Sequence, residues 1–246
     1  MTFTLALSGD SMITRGAVIG PDSKAQQLLA LIRNADVAFT NNTGHTEAEA
    51  VAGQVRDLGR KVLTIGADLA QPAAAATVTD AAKREFGRLD ILVNNAGVTH
   101  WGPLADTPLA SFDHLVAVNA RGPFLMMQAA EAQLADGGRV VNVSSAVTST
   151  ALPGSALYAG TKAFLDQVTQ VAALESAPRR ITVNAVAPGS SATGRLAHLT
   201  SERRAQLGSS FTLGRIGEPA DTAALVAFLV SDEASFITGQ DRKSVV

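Results

Sequence analysis

Tyr158 and Lys162 stand four residues apart in Ser155–Ser176, a segment that reads as a helix. Positions i and i+4 share one helix face, so the phenol and the ammonium are neighbours there. A nearby cation favours the phenolate and draws a tyrosine down from its reference of ~10 towards working pH. A phenol so poised can act as general acid towards a ketone or general base towards an alcohol. The bland alternative is a solvated contact, common for Tyr/Lys pairs at this spacing. Tyr158 is, however, the only tyrosine of the chain, and it sits among small residues.

Three further polar clusters invite the same question. Ser144-Ser145 follows an aliphatic run and either lines a crevice with hydroxyls or caps a turn. Asn94-Asn95-Ala96-Gly97 follows another such run. Its small residues admit a flat ligand close to the backbone, and its amides suit either loop bridging or a plain polar turn. Asn119 lies inside a long helical segment, where asparagine is a poor helix former. It is either a functional amide or a buried one that satisfies backbone groups.

The elements that must position these residues alternate along the chain. Candidate strands are Phe3–Leu7, Val37–Thr40, Val62–Ala67, Ile91–Val93, Val140–Val143 and Thr182–Val186. Several are continuous aliphatic runs, as expected of strands covered on both faces. Between them the pattern predicts helices at Ser23–Arg33, Thr46–Leu58, Ala73–Phe86, Leu109–Leu134 and Ser155–Ser176, with Pro219–Val230 after the last strand. Strand–helix alternation implies an α/β fold, a single-domain doubly wound parallel sheet of Rossmann-like type with helices on both faces. One domain spanning 1–246 is expected. In such sheets ligands bind beyond the carboxyl ends of the strands, where the polar clusters fall.

Composition narrows the function classes. The 246 residues include no cysteine, which excludes a disulfide framework, a thiolate metal site and a cysteine nucleophile. Lys plus Arg number 20 against 22 Asp plus Glu, so no electrostatic footprint for nucleic acid or an anionic membrane exists. No metal site is expected. The longest apolar stretches, such as Ala223 to Val230, fall far short of the ~20 residues that span a bilayer. Met1–Leu7 lacks the basic start of a signal peptide, so the expected location is cytoplasmic.

Taken together, the motifs identify a similarity to the short-chain dehydrogenase/reductase family, running from about Asp36 to Gln240. They are Asp68-Leu69, Asn94-Asn95-Ala96-Gly97, Val118-Asn119, Ser144-Ser145, Tyr158-x-x-x-Lys162 and Val183-Asn184-x-x-x-Pro188-Gly189. Leu213–Pro219 and Ile237–Gln240 resemble the family's late motifs, in the beta-ketoacyl reductase-like group. Ser145 precedes Tyr158 by 13 residues, the family's common separation, which favours it over Ser144.

The resemblance implies a catalytic set of Asn119, Ser145, Tyr158 and Lys162. Tyr158 would exchange a proton with the substrate oxygen while Ser145 polarises it. Lys162 would lower the tyrosine and bind the nicotinamide ribose, and Asn119 would hold a relay water. Asp68 and Leu69 would lie at the adenine, Asn95, Ala96 and Gly97 along the adenosine side, Pro188 and Gly189 towards the nicotinamide, and Thr193 at the carboxamide or the diphosphate. Implied partners are a small carbonyl or alcohol substrate and further copies of the chain. The family pairs its long helices into a dimer, often doubled to a tetramer through the last strand. Outward candidates for that pairing are Phe124, Met126, Met127, Phe164, Val168 and Val171.

Two departures stand out. The family's glycine-rich loop after the first strand has glycines four and then two residues apart, whereas here Gly9, Gly16 and Gly20 are seven and then four apart. Three accounts stay open. A longer loop still cradles the pyrophosphate through Ser11, Thr14 and Arg15; cofactor binding is weak or lost, leaving an inert scaffold; or the stretch departs from the natural sequence. The second departure is the chain end, where Asp241–Val246 replaces the family's final apolar strand. At the end of the second strand, Thr40-Asn41-Asn42-Thr43 carries no carboxylate to accept the ribose 2′-hydroxyl. NADP(H) is therefore expected over NAD(H), with Asn41 and Arg15 at the 2′-phosphate. Trp101, Leu196, Leu199, Leu207 and Phe211 give the substrate cleft an apolar lean, and the expected reaction is ketone reduction or its reverse. A beta-ketoacyl-carrier-protein reductase is the alternative, for which Arg121, Arg203 and Arg204 are the available basic residues.

Overall fold

The structure is a computed structural model that describes residues 3–8, 35–41, 45–191, 196 and 199–244. Seven parallel strands form one sheet in the order β3-β2-β1-β4-β5-β6-β7. They are β1 Phe3–Ser8, β2 Ala35–Asn41, β3 Val62–Gly66, β4 Leu89–Asn94, β5 Leu134–Val143, β6 Thr182–Pro188 and β7 Asp241–Ser244. The order runs outward in both directions from β1 and β4, the doubly wound arrangement with its crevice at the reversal. The helix expected at Ser23–Arg33 lies outside the described residues.

The described helices are α1 His45–Asp57, α2 Ala74–Phe86, α3 Leu109–Val116, α4 Gly122–Glu131, α5 Ala156–Ser176, α6 Ser201–Gly208 and α7 Pro219–Leu229. Strand alternation divides the core in two. On one face Ile91, Val93, Val141, Val143 and Val186 pack with Val51 and Val55 of α1 and Val226 and Leu229 of α7. On the other, Leu92, Val140 and Val183 meet Val78 of α2, Met126 of α4 and Ala173 of α5. Helix α2 shows how the sequence chooses its face: Ala74, Ala75, Val78, Thr79 and Ala82 are its buried residues, one stripe at helical spacing. It stops at Gly87, whose φ of 80° suits glycine and whose N–H returns to the Lys83 carbonyl.

Two expectations need correction. The helix predicted over Leu109–Leu134 is α3 and α4 joined by a π turn at Ala117–Arg121, and Leu134 already begins β5. Pro123 has no N–H for the carbonyl four residues back, that of Asn119, so the α-helical ladder breaks there. The chain end was expected to lack its strand, yet Asp241–Ser244 pairs in parallel with Ala185–Pro188. Backbone hydrogen bonds form this edge strand without an apolar pattern.

Candidate active site

Strand β5 delivers the serines. Ser144 is buried, its N–H donating to the Val186 carbonyl at 2.7 Å and its hydroxyl to that of Lys162 at 3.5 Å. Those bonds tie β5 to its neighbours. Ser145 is half-buried and extended, accepts from the Val147 N–H at 3.3 Å, and interacts through its hydroxyl with the Tyr158 phenol. Helix α5 starts two residues before Tyr158 and presents it to this serine.

Burial pushes the Tyr158 phenol above its ordinary value, and the hydrogen bond from Ser145 draws it partly back. The depression expected from Lys162 is not among the causes. The Lys162 ammonium itself donates to the carbonyl of Val143 at 2.8 Å. Lys162 is only 3% exposed. Burial pulls its pKa down to about 8, opposed by the charge of Asp166 one helical turn further on. Asp166 was legible in principle, since it repeats the four-residue step from Tyr158 to Lys162.

Asn119 is fully buried within the π turn. Its Oδ1 accepts from the Val98 N–H at 2.9 Å, and its Nδ2 donates to the Val98 carbonyl at 2.8 Å and to Thr161 Oγ1 at 3.2 Å. Both amide hydrogens are therefore spent on protein groups, the reading in which a buried amide satisfies backbone. The loop it holds contains Gly97, where a Cβ would stand 3.3 Å from Lys162 Nζ. Val98, Thr161 and Val143 thus belong to the site, although no chemistry-bearing side chain marked the two valines.

The remaining described candidates sit at the carboxyl ends of the strands, as expected. Asp68 opens the turn after β3, accepting from the Ala70 N–H at 3.0 Å and from Gln71 Nε2 at 3.2 Å. The Leu69 side chain is buried in the core beside Val78, so only its backbone faces a ligand. Arg121 Nη2 donates to the Ala70 carbonyl at 2.6 Å, and a Cβ on Gly122 would stand 2.9 Å from the Leu69 carbonyl. The π turn therefore braces the Asp68 turn as well as the loop at Gly97. Asn95 and Ala96 are half-buried after β4, and Pro188 and Gly189 close β6. Asn41 ends β2 opposite Gly66, with its side chain outside the described residues. Gly9, Arg15, Gly16, Gly20 and Thr193 also lie outside them, so the inert-scaffold account rests on undescribed residues.

Of the outward apolar candidates, Phe124, Phe164 and Val171 are exposed, and Phe124 and Phe164 contact each other with ring centroids 6.4 Å apart. Met127 and Val168 are half-buried. Met126 is a correction: it is buried against the sheet, because its position on α4 faces Leu92 and Val140. Among the described residues no helix is long and apolar enough to cross a membrane.

Comparison with known proteins bears on the family and the fold. A family model described as enoyl-(acyl carrier protein) reductase matches residues 25–243. An uncharacterized oxidoreductase of Methylorubrum extorquens is 37% identical over 237 residues, covering 95% of each chain. The 3-oxoacyl-acyl-carrier-protein reductase FabG of Staphylococcus aureus is 37% identical over 207 residues, 83% of this chain and 84% of that protein. Among solved structures, a short-chain dehydrogenase from Burkholderia cenocepacia in complex with NADP superposes with a TM-score of 0.85 at 34% identity, covering 98% and 95% of the two chains.

Proposed function

We propose that this protein, which belongs to the short-chain dehydrogenase/reductase family, is an NADP(H)-dependent reductase of ketones and, in reverse, a dehydrogenase of secondary alcohols. The observation that carries the reading is the interaction of Ser145 with Tyr158, which stands on the helix that buries Lys162. A phenol held above its ordinary pKa is protonated at neutral pH, the state a proton donor needs. Tyr158 gives its proton to the substrate oxygen while Ser145 hydrogen-bonds the same oxygen and stabilises the charge that develops there. In the reverse direction the phenolate accepts the alcohol proton.

The site fits a nicotinamide dinucleotide. An ammonium has three donors, and among the described residues Lys162 uses one, on Val143. Two remain for ribose hydroxyls. Gly97 keeps the approach to Nζ clear of any side chain. Residues Asn95–Gly97, the Asp68–Leu69 turn and Pro188–Gly189 offer backbone along the rest of the crevice. A bound nicotinamide would supply or take up the hydride. The backbone carbonyl of Asn119, which Pro123 cannot serve as a donor, suits the relay water better than its spent side chain. Support for NADP(H) comes from the carboxylate-free end of β2 at Asn41 and from the NADP in the Burkholderia structure. Asn41→Asp is expected to shift preference towards NAD(H) through repulsion of the 2′-phosphate.

The remaining expectations belong to the same reading: one dinucleotide-binding and catalytic domain over 1–246, a cytoplasmic enzyme, and a homodimer or homotetramer. The likeness to FabG favours a second reading, reduction of beta-ketoacyl groups on a carrier protein. Against it, Arg121 is engaged with Ala70 and Arg203 with Gln206. A carrier-protein thioester reduced far better than its free ester analogue would favour the second reading.

The primary test is NADPH consumption with methyl acetoacetate and with acetophenone. Tyr158→Phe is expected to lose a factor of about 10²–10⁴ while melting at an unchanged temperature. Full activity in that variant overturns the assignment. If millimolar NADPH neither binds nor raises the melting temperature, the inert-scaffold account replaces it.

A further inference from the structure

Trp101 is the only tryptophan of the chain and stays 43% exposed, although it stands next to the proton donor. Its ring centroid lies 6.5 Å from that of Tyr158, with the planes tilted by 41°. The loop that carries it is pinned. Gly102 donates its N–H to the Gly154 carbonyl at 3.0 Å, and Gly154 has a φ of +82° and packs on Gly102. This pin joins the Trp101 loop to the loop leading into α5, so the indole is held in register with Tyr158. Leu152, also exposed, stands on the second loop two residues from the pin.

We infer that Trp101 is a specificity-determining wall of the substrate site, and that it selects ketones bearing an aromatic ring next to the carbonyl. The inference rests on the ketone-reductase reading above. A substrate oxygen must reach Tyr158 and Ser145 together, which leaves one substituent of the carbonyl carbon to run over the tyrosine towards the indole. A separation of 6.5 Å is too small for a ring to slide between the two aromatics, since two stacking contacts need about 7 Å. The substituent ring therefore lies on the open indole face in an offset or edge-to-face contact. A flat aryl group removes exposed indole from water across its whole area, whereas a short alkyl chain covers little of it.

The test compares acetophenone with methyl acetoacetate in wild type, Trp101→Ala and Trp101→Phe. The ratio of kcat/KM for the aryl ketone to that for the alkyl ketone is expected to fall on the order of tenfold in Trp101→Ala, mainly through KM. Trp101→Phe should restore most of it. With NADP+ present, acetophenone should also quench the single tryptophan saturably, while methyl acetoacetate does not. An unchanged ratio, or equal losses on both ketones, overturns the inference and leaves the reductase reading standing. Saturable quenching by acetophenone without turnover of either ketone would retain the aryl site and overturn the reductase reading.

Discussion

Asn119 grips Val98 at both of its backbone polar groups, accepting from the N–H at 2.9 Å and donating to the carbonyl at 2.8 Å. One side chain thereby replaces the strand partner that the chain loses on leaving β4 at Asn94. Because Gly97 lies against Lys162 Nζ, the same clasp sets the distance between the Gly97 loop and the ammonium.

Asn119→Ala strands two half-buried backbone groups, each costing about 1–3 kcal/mol when left unsatisfied. We expect a stability loss of about 2–4 kcal/mol, read as a drop in melting temperature, together with weaker NADPH binding. A variant that melts and binds like wild type would show that the clasp does not hold the loop.

Two glycines separate stability from chemistry. At Gly122 a Cβ would stand 2.9 Å from the Leu69 carbonyl, a backbone atom that cannot yield cheaply. Gly122→Ala is therefore expected to cost about 1–3 kcal/mol and to weaken NADPH binding by displacing the Asp68 turn. At Gly97 the neighbour is the tip of Lys162 at 3.3 Å, which can move. Gly97→Ala should leave the melting temperature close to wild type and lower kcat/KM. Equal effects of the two substitutions on stability would contradict this division.

The lowered Lys162 pKa makes a signed prediction. The unfolded chain holds that proton up to about 10.5, the folded protein only to about 8. Between these values the unfolded state binds more protons, so folding stability rises with pH across the window. Below pH 8 the full cost of the buried charge is present, on the order of 3 kcal/mol. Lys162→Met should accordingly be more stable than wild type at pH 7 without cofactor, and its advantage should shrink as pH approaches 10.5. Denaturant midpoints at several pH values read this directly; a constant difference would show that the ammonium is not desolvated. NADPH affinity should also decline above pH 8, as the charge is lost.

The same site marks what could be read from residue types and spacing. The meeting of Ser145 with Tyr158 was legible because one residue stands just past β5 and the other in the first turn of α5. The first six strands were legible because their aliphatic runs state burial on both faces. The partner of Lys162 was not: a four-residue step puts its Cα on the face of Tyr158, but nothing in the spacing points to the Val143 carbonyl at the end of β5, to which the ammonium donates. Met126 was misplaced for a related reason, since an apolar residue on α4 suits the core and the surface equally until the sheet chooses. Strand β7 carries Asp241-Arg242-Lys243-Ser244, with no pattern to betray it, and forms through the backbone of β6. The break in the long helix did have a signal, Gly122-Pro123, which outranks the helical periodicity around it.

The last prediction concerns assembly. Helices α3, α4 and α5 enclose a groove of about 950 Å³ lined by Phe112, Val116, Phe124, Leu157 and Phe164, with almost no polar surface. Phe112, Phe124 and Phe164 are each more than two-fifths exposed, a cluster that a solitary chain would leave in water. A two-fold contact would bury the groove against its own copy, each Phe124–Phe164 pair meeting the other. The edge strand β7 offers less: its sequence, Asp241 to Ser244, contains no apolar residue to bury against a second copy. A dimer more robust than any tetramer is therefore expected from light scattering on dilute protein. Phe124→Glu with Phe164→Glu should yield a folded monomer near 25.3 kDa, because both side chains are solvent-exposed in the single chain and the substitutions leave its core intact. A wild-type protein of monomeric mass at every concentration would exclude the interface, and a double variant that remains dimeric would move it elsewhere.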